Sequence, residues 1–215
     1  VLTGAGRAFC AGGDVKRFAS VSSGGQPVAT FEEKVHDLRS RMEISRLLHE
    51  MPKPTLAVIP GPAAGAGFSL ALACDLRIAA EDAKLTTAFS RVSLSGDFGG
   101  SYFLTYLVGA AKARELYFTG RVLLGQEALE LGIVNRVTTS EDLDQEANSH
   151  AAELAALPTL AEGYMKKNLN AALKGSLSDV LDGEAIHMIR TFETDDHKNA
   201  AQAFLEKRAP EFSGH

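Results

Sequence analysis

The sequence has little cysteine, no surplus of basic charge and no long apolar run, and each shortage excludes a class of protein. Only Cys10 and Cys74 occur in 215 residues, too few for the disulfide framework of a small secreted domain. Lysine and arginine number 22 against 27 aspartates and glutamates, a net charge of −5, so the broad basic face of a nucleic-acid binder is missing. No apolar stretch approaches the roughly 20 residues that cross a bilayer, and the first residues show no basic-then-apolar secretion pattern. Neither nucleic acid nor membrane is expected as a partner, and a cytoplasmic or organelle-matrix setting fits. His36, His49, His150, His187, His197 and His215 have no metal-ligand spacing, so no metal is expected.

What is present is ordinary globular composition, 45% hydrophobic and 23% charged, in a chain long enough for one domain with a substantial core or two small ones. Val1–Leu2–Thr3, with no methionine ahead of it, reads as the end of a strand. A loop through Gly4–Ala5–Gly6 and Cys10–Ala11–Gly12–Gly13–Asp14 follows, then a helical turn over 15–18 and a Ser/Gly/Pro-rich mobile loop over 20–27. Phe31, Val35, Leu38 and Met42 mark one face of an amphipathic helix ending near Glu50, before Pro52 and Pro54. Strands are expected over 55–59, 76–79, 84–87 and 133–137, and helices over 102–108 and 111–119. A buried helix follows Gly65–Ala66–Gly67 and ends at Asp75. From Glu141 onward the pattern is helical, with helices over 143–157, 160–173, 177–192 and 196–207. This divides the chain near Thr139 into a mixed α/β part, 1–139, and a helical part, 140–215.

Two glycine-rich loops follow strands and open helices. A dinucleotide reading fails for both. Leu70 and Phe9 stand where the third small residue belongs, and neither loop has a convincing acidic partner about 20 positions on. Taken together, the loops suit an oxyanion hole. Ala11 and Ala66 are small residues in loops whose backbone N–H groups a carbonyl oxygen could approach closely, each donor contributing roughly 3–4 kcal/mol to a transition state. The alternative is that the glycines serve only tight turns and close packing.

The stretches Ala8–Phe9–Cys10–Ala11–Gly12–Gly13–Asp14, Lys53–Pro54–Thr55–Leu56–Ala57–Val58–Ile59–Pro60–Gly61, Gly65–Ala66–Gly67 and Leu70–Ala71–Leu72–Ala73–Cys74–Asp75 resemble, in order, the enoyl-CoA hydratase/isomerase (crotonase) superfamily. Thr87–Ala88–Phe89–Ser90–Arg91, Thr119–Gly120–Arg121 and Gly132–Ile133–Val134–Asn135–Arg136–Val137 continue the resemblance. It implies an α/β crotonase-like (ClpP/crotonase) spiral of β-β-α units, preceded in family members by N-terminal strands not seen here, with a helical C-terminal trimerisation region. It also implies acyl-CoA thioester substrates and a homotrimer or hexamer. By motif position, the N–H groups of Ala11 and Ala66 become the two oxyanion donors. Ala8, Ala11, Gly12, Gly13, Asp14, Gly65, Ala66, Gly67, Ser69 and Phe89 become substrate-binding positions.

The departures from the family pattern are as informative. Family hydratases carry two water-handling glutamates where this chain has Ser69 and Phe89. Serine is no carboxylate base near neutral pH and phenylalanine transfers no proton, so hydration by the paired-glutamate route is not expected. Gly96–Asp97–Phe98–Gly99–Gly100 instead puts Asp97 where isomerase branches place an aspartate, and the stretch resembles the phenylacetate-pathway branch. Two readings of Asp97 stay open: a catalytic base, or a helix cap and turn former. Arg91 is either a partner for a carboxylate or phosphate, or a solvated surface residue. Lys198 and Lys207 are candidates for a coenzyme A phosphate against a default of solvation. Cys10 reads as small-residue packing, Asp195–Asp196–His197 as a helix start, and Ser69 lacks a nucleophile elbow.

The expected function is that of an acyl-CoA isomerase. Ala11 and Ala66 would stabilise an enolate and Asp97 would move one proton between carbons. No cofactor is expected beyond the coenzyme A that arrives with the substrate. The rival readings are a lyase or hydrolase using the same oxyanion hole, and a non-catalytic acyl-CoA-binding member.

Overall fold

A computed structural model describes residues 1–14 and 29–214. The helical turn over 15–18, the loop over 20–27 and His215 lie outside the described residues. In chain order the elements are α1 (Phe31–Arg41), α2 (Glu43–Glu50), β1 (Leu56–Ile59), β2 (Ala63–Ala64), α3 (Ala66–Ala73), β3 (Leu76–Ala80), β4 (Leu85–Thr86), a 3₁₀ turn (Phe89–Val92), α4 (Gly100–Thr119), α5 (Gly125–Glu130), β5 (Arg136–Thr138), α6 (Leu143–Ala155), α7 (Thr159–Ala172), α8 (Leu177–Phe192) and α9 (Asp195–Glu206). Two compact units result, one of residues 1–49 and 55–147, the other of 50–54 and 148 to the C-terminus. No helix of the described residues is long and apolar enough to cross a membrane.

The first unit repeats one pattern. Leu2 bridges Ala57 in parallel and Cys10 bridges Ala63 in parallel. On their other sides β1 pairs with β3 and β2 with β4, again in parallel. The chain therefore visits one sheet, then the second, then forms a helix, and starts again one strand further along: β1, β2, α3, then β3, β4, α4. β5 closes the first sheet beside β3. This is the strand-strand-helix repeat the motifs imply.

The sequence explains the local choices. All four residues of β1 are buried, as a central parallel strand covered on both faces requires. The sequence of α3, Ala-Gly-Phe-Ser-Leu-Ala-Leu-Ala, is apolar on nearly every side, and six of its eight residues are buried. Asp75 ends it and turns back on β1. One carboxylate oxygen accepts both the N–H and the hydroxyl of Thr55 at 2.7 Å. Next to it, the buried guanidinium of Arg77 donates to backbone carbonyls: Nε to Ile133 at 2.6 Å, Nη1 to Cys74 and Nη2 to Asp75 at 3.3 Å. The Arg77 N–H donates to Asn135 Oδ1 at 2.9 Å. One side chain thus fixes the end of α3, the start of β3 and the approach to β5.

Three expectations need correction. The helix over 31–50 is two helices, because the Met42 N–H returns to Leu38 and Ser40 and ends the first. The apolar face of α1 is not buried, and Phe31 is 77% exposed; the helix stands on its Thr30–Glu33 capping box instead. The last strand starts at Arg136 rather than Ile133. Gly132 at φ 73° closes α5 in the left-handed conformation, and the N–H groups of Ile133 and Val134 both return to Ala128.

The second unit is helical. α8 opens on a Ser176–Asp179 capping box, and Thr194 opens α9 by accepting the His197 N–H. Asp196, buried in the first turn of α9, accepts the N–H groups of Ser213 and Gly214 at 2.7 and 2.9 Å. Asp195–Asp196–His197 is accordingly a helix start that also anchors the following chain.

Replacing Arg77 by Met keeps the volume but strands buried carbonyls. We expect a loss of stability on the order of 3 kcal/mol, read as a lower urea midpoint with an unchanged slope.

Candidate functional site

Two backbone segments are held side by side in the first unit. The N–H groups of Phe9 and Cys10 donate to the Pro62 carbonyl at 3.1 and 3.2 Å, and the Ala64 N–H donates to Cys10 at 3.0 Å. The approach is close enough to demand glycine. A Cβ on Gly67 would lie 2.1 Å from the Cys10 carbonyl oxygen, and one on Gly12 would lie 2.6 Å from that of Ala64. Cys10 packs its own Cβ against Gly67, as the small-residue reading has it.

Ala11 and Ala66 follow from this pairing. Gly65 caps α3 at φ 53°, ψ −122°, a conformation that side chains avoid, and its N–H is taken by Thr86. Ala66 then sits at the first helical position, where the N–H has no partner inside the helix. Neither the Ala11 nor the Ala66 N–H finds a hydrogen-bond acceptor among the described residues.

Both alanines line one cavity of about 110 Å³, together with Gly12, Gly13, Gly65, Ala88, Phe89, Val92, Leu94 and Asp97. Of the positions expected to bind substrate, Ala11, Gly12, Gly13, Gly65, Ala66 and Phe89 are therefore brought together with Asp97. Ala8, Asp14, Gly67 and Ser69 are not on the wall. Gly67 is sealed under Cys10, and Ser69 is buried with Oγ donating to Gly65 at 3.2 Å. Sequence reasoning missed Ala88, Val92 and Leu94 as wall residues. They arrive because Ala88 and Ser93, at φ 57° and 55°, bracket the 3₁₀ turn in left-handed conformations that reverse the chain twice. Neither residue type announces that.

Asp97 is the one ionisable side chain among the described residues lining the cavity. It does not cap α4. The cap residue is Gly99, at φ 77° and without a side-chain hydrogen bond, and Asp97 contributes only its backbone carbonyl, accepting from the Gly100 N–H at 3.2 Å. Its enclosed Oδ1 has no hydrogen-bond partner among the described residues. Burial holds the carboxyl above the ordinary aspartate range. The Tyr117 phenol, pushed up to about 12 by burial first, also feels the negative charge of Asp97.

The remaining candidates lie elsewhere. Arg91 is exposed. Lys198 pairs with Asp195 at 2.8 Å, and Lys207 ends α9 at φ 56°. Among the described residues no three His, Cys, Asp or Glu side chains cluster as metal ligands.

A carboxylate that is harder to ionise in the fold than in the unfolded chain makes the unfolded state the weaker proton binder as pH rises, so stability falls across that range. Asp97→Asn removes this cost. We expect the variant to melt higher than wild type at neutral pH, and the difference to shrink toward zero as pH falls below about 4, the ordinary aspartate value. Calorimetric melts between pH 3 and 8 check the trend.

The whole chain, residues 1–215, matches the family model for enoyl-CoA hydratase/isomerase. It is 36% identical to the 1,2-epoxyphenylacetyl-CoA isomerase of Escherichia coli (strain K12), over 100% of this chain and 80% of that protein. It is 37% identical to a probable enoyl-CoA hydratase of Bacillus subtilis (strain 168), over 100% and 81%. Among solved structures, an enoyl-CoA hydratase from Polaromonas sp. JS666 superposes with a TM-score of 0.90 at 35% identity, covering 98% of this chain and 80% of that one. One from Streptomyces coelicolor A3(2), described as a putative enoyl-CoA hydratase, gives 0.91 at 33% identity, covering 99% and 76%. With its paired parallel ladders, its two glycine-lined loops and this similarity over its whole length, the chain belongs to the enoyl-CoA hydratase/isomerase family and has the crotonase fold.

Proposed function

We propose that this chain is an acyl-CoA isomerase that shifts a double bond in an enoyl-CoA thioester. The observation that carries the reading is the Asp97 carboxylate, half-buried and with an oxygen that has no hydrogen-bond partner among the described residues, in the same cavity as the two open N–H groups. The thioester carbonyl oxygen accepts hydrogen bonds from Ala11 and Ala66. Asp97 takes a proton from C2, the electron pair spreads onto the carbonyl oxygen as an enolate, and the two donors stabilise that charge. The same proton returns to a carbon further along the dienolate, and the double bond has moved. One carboxylate suffices because no water is consumed. The coenzyme A comes with the substrate, and the reaction as written uses no other cofactor.

The wall composition favours isomerisation over hydration. Ser69 is enclosed and Phe89 offers a ring, and among the described residues lining the cavity there is no second carboxylate to handle a water. One of the similar proteins is named an isomerase and others hydratases; the residues of this cavity are the ground for preferring the first. The assembly is proposed to be a homotrimer or hexamer built through the helical region from residue 140. Its support is the apolar surface there, including Leu177, Phe192 and Phe204 at 75%, 58% and 83% exposure.

In deuterated water a 3-enoyl-CoA is expected to be converted to the 2-enoyl isomer without release of free coenzyme A, any deuterium that Asp97 exchanges with solvent during transfer entering at C4. A hydrolase would release it, and a mere binder would exchange nothing. Asp97→Asn should lower turnover roughly 10²–10⁴-fold while thioester affinity stays nearly constant. A variant keeping half the wild-type rate would overturn the assignment. Hydration of a 2-enoyl-CoA should be negligible beside isomerisation, and light scattering should give three or six copies.

A further inference from the structure

The cavity holds two donors and an acceptor that do not bond one another. The Ala11 and Ala66 N–H groups have no acceptor among the described residues, and the enclosed Oδ1 of Asp97 has no partner among them either. All three residues line the same space of about 110 Å³. A carboxylate and two open backbone donors attract, and the hydrogen bonds they form are of the strong, charge-assisted kind. Such a contact would fill the oxyanion hole with the protein's own base and disarm both. Something keeps them apart.

The Phe89 ring is inserted between the two segments that carry Ala66 and Asp97. Gly65 immediately precedes Ala66, and a Cβ built on it would lie 3.5 Å from Phe89 Cε1 and 3.7 Å from Cζ. Gly96 immediately precedes Asp97, and a Cβ built there would lie 3.6 Å from Phe89 Cδ2. Cε1 and Cδ2 are opposite corners of the ring, so its full width separates the oxyanion glycine from the base-loop glycine. The ring is held in this position from behind. The Phe89 N–H donates to the Thr87 carbonyl at 2.7 Å, and the Phe89 carbonyl accepts from the Leu94 N–H at 3.0 Å. Thr87 Oγ1 in turn donates to the Leu116 carbonyl at 3.0 Å. The ring stacks on Tyr117, with centroids 6.0 Å apart and planes 18° apart.

We infer that Phe89 is a positioning residue that acts as a spacer: its ring keeps the Asp97 carboxylate out of the oxyanion hole formed by Ala11 and Ala66, so that a thioester carbonyl can enter it. The ring offers neither N–H nor O–H donor and no acceptor oxygen, so it separates the groups without satisfying either. Burial holds the Asp97 carboxyl above the ordinary aspartate range. That agrees with a carboxylate receiving no N–H bonds, because such bonds pull the value down. The other described residues lining the cavity, from the two glycine loops and the 3₁₀ turn, carry no titratable side chain. Tyr117, from α4, is a titrating neighbour that feels the Asp97 charge. The effect of the spacer on turnover rests on the isomerase reading; the separation of base and donors does not.

Phe89→Leu tests this, because leucine keeps Cδ atoms to face Gly96 and lacks the Cε1–Cζ edge that faces Gly65. We expect the variant to bind butyryl-CoA, a saturated thioester with no double bond to move, about tenfold more weakly by calorimetry, the base occupying the hole about nine-tenths of the time. In a ¹³C NMR titration of aspartate-labelled protein, the signal being assigned with Asp97→Asn, the Asp97 midpoint should fall by about one pH unit. Turnover of a 3-enoyl-CoA at neutral pH should drop roughly tenfold. Adding Asp97→Ala to Phe89→Leu should restore butyryl-CoA affinity to within about twofold of Asp97→Ala alone. A mere loss of packing, or of a contact with the acyl group, would persist in that double variant. Such persistence, or an unchanged affinity or midpoint in Phe89→Leu, overturns the inference. Should Phe89→Leu not fold, Asp97→Ala alone decides. An affinity within about twofold of wild type supports the spacer, and a larger gain would mean that the base already occupies the hole. Conversion of a 3-enoyl-CoA by the wild type judges the isomerase reading separately, and the binding and titration results decide this inference whatever that outcome.

Discussion

The site depends on two backbones lying closer together than side chains allow. Segment 9–12 runs alongside segment 62–67 with its amides and carbonyls paired, and Gly12 and Gly67 give each backbone room to reach the other. Without that approach Ala11 and Ala66 would not face one space, and their N–H groups would be two separate loop amides. Everything else in the first unit holds this contact at the right height. The Leu2–Ala57 and Cys10–Ala63 bridges set the register. Arg77 and Asp75 pin the far end of the helix that Ala66 opens.

Asp97 carries the opposite kind of constraint. The two glycine loops pair Phe9 and Cys10 with Pro62 and Ala64 with Cys10, and leave the Ala11 and Ala66 N–H groups without an acceptor among the described residues. The Asp97 loop leaves an acceptor open and holds it in place by backbone conformation. Gly96, Phe98 and Gly99 all have positive φ, and Phe98 pays no glycine's discount: a bulky residue there costs of order 1–3 kcal/mol. An unpartnered buried carboxylate oxygen beside a strained loop lowers stability, and a functional site is where such costs are expected to persist.

How far the sequence reveals this differs by element. The strands of the first sheet, the buried helix after Gly65 and the helices from 143 onward were legible, because apolar runs and caps act locally. α8 occupies the residues its periodicity predicts, 177–192. The apolar stripe of α1 made the helix legible but not its surroundings: periodicity reports which residues share a face and says nothing of what covers them. For the site, the motifs pointed to Ala11, Ala66 and Asp97. The wall from Ala88 to Leu94 was hidden. It depends on left-handed residues that are not glycine, Ala88 and Ser93, which leave no pattern along the chain.

Tyr117 reaches Gly100 only because α4 is not a rod. In a straight helix the two would stand about 25 Å apart along the axis, yet the tyrosine hydroxyl lies 2.6 Å from where a Gly100 Cβ would be. The reversal falls at Gly109, whose φ of 77° and ψ of 161° are non-helical. A Cβ added there would meet nothing within 4 Å, so crowding is not what reserves the position. Its mirror image, φ −77° and ψ −161°, is ordinary extended backbone for a left-handed amino acid. The hairpin thus discriminates by chirality and not by volume: D-alanine would satisfy the backbone at 109 where L-alanine strains it.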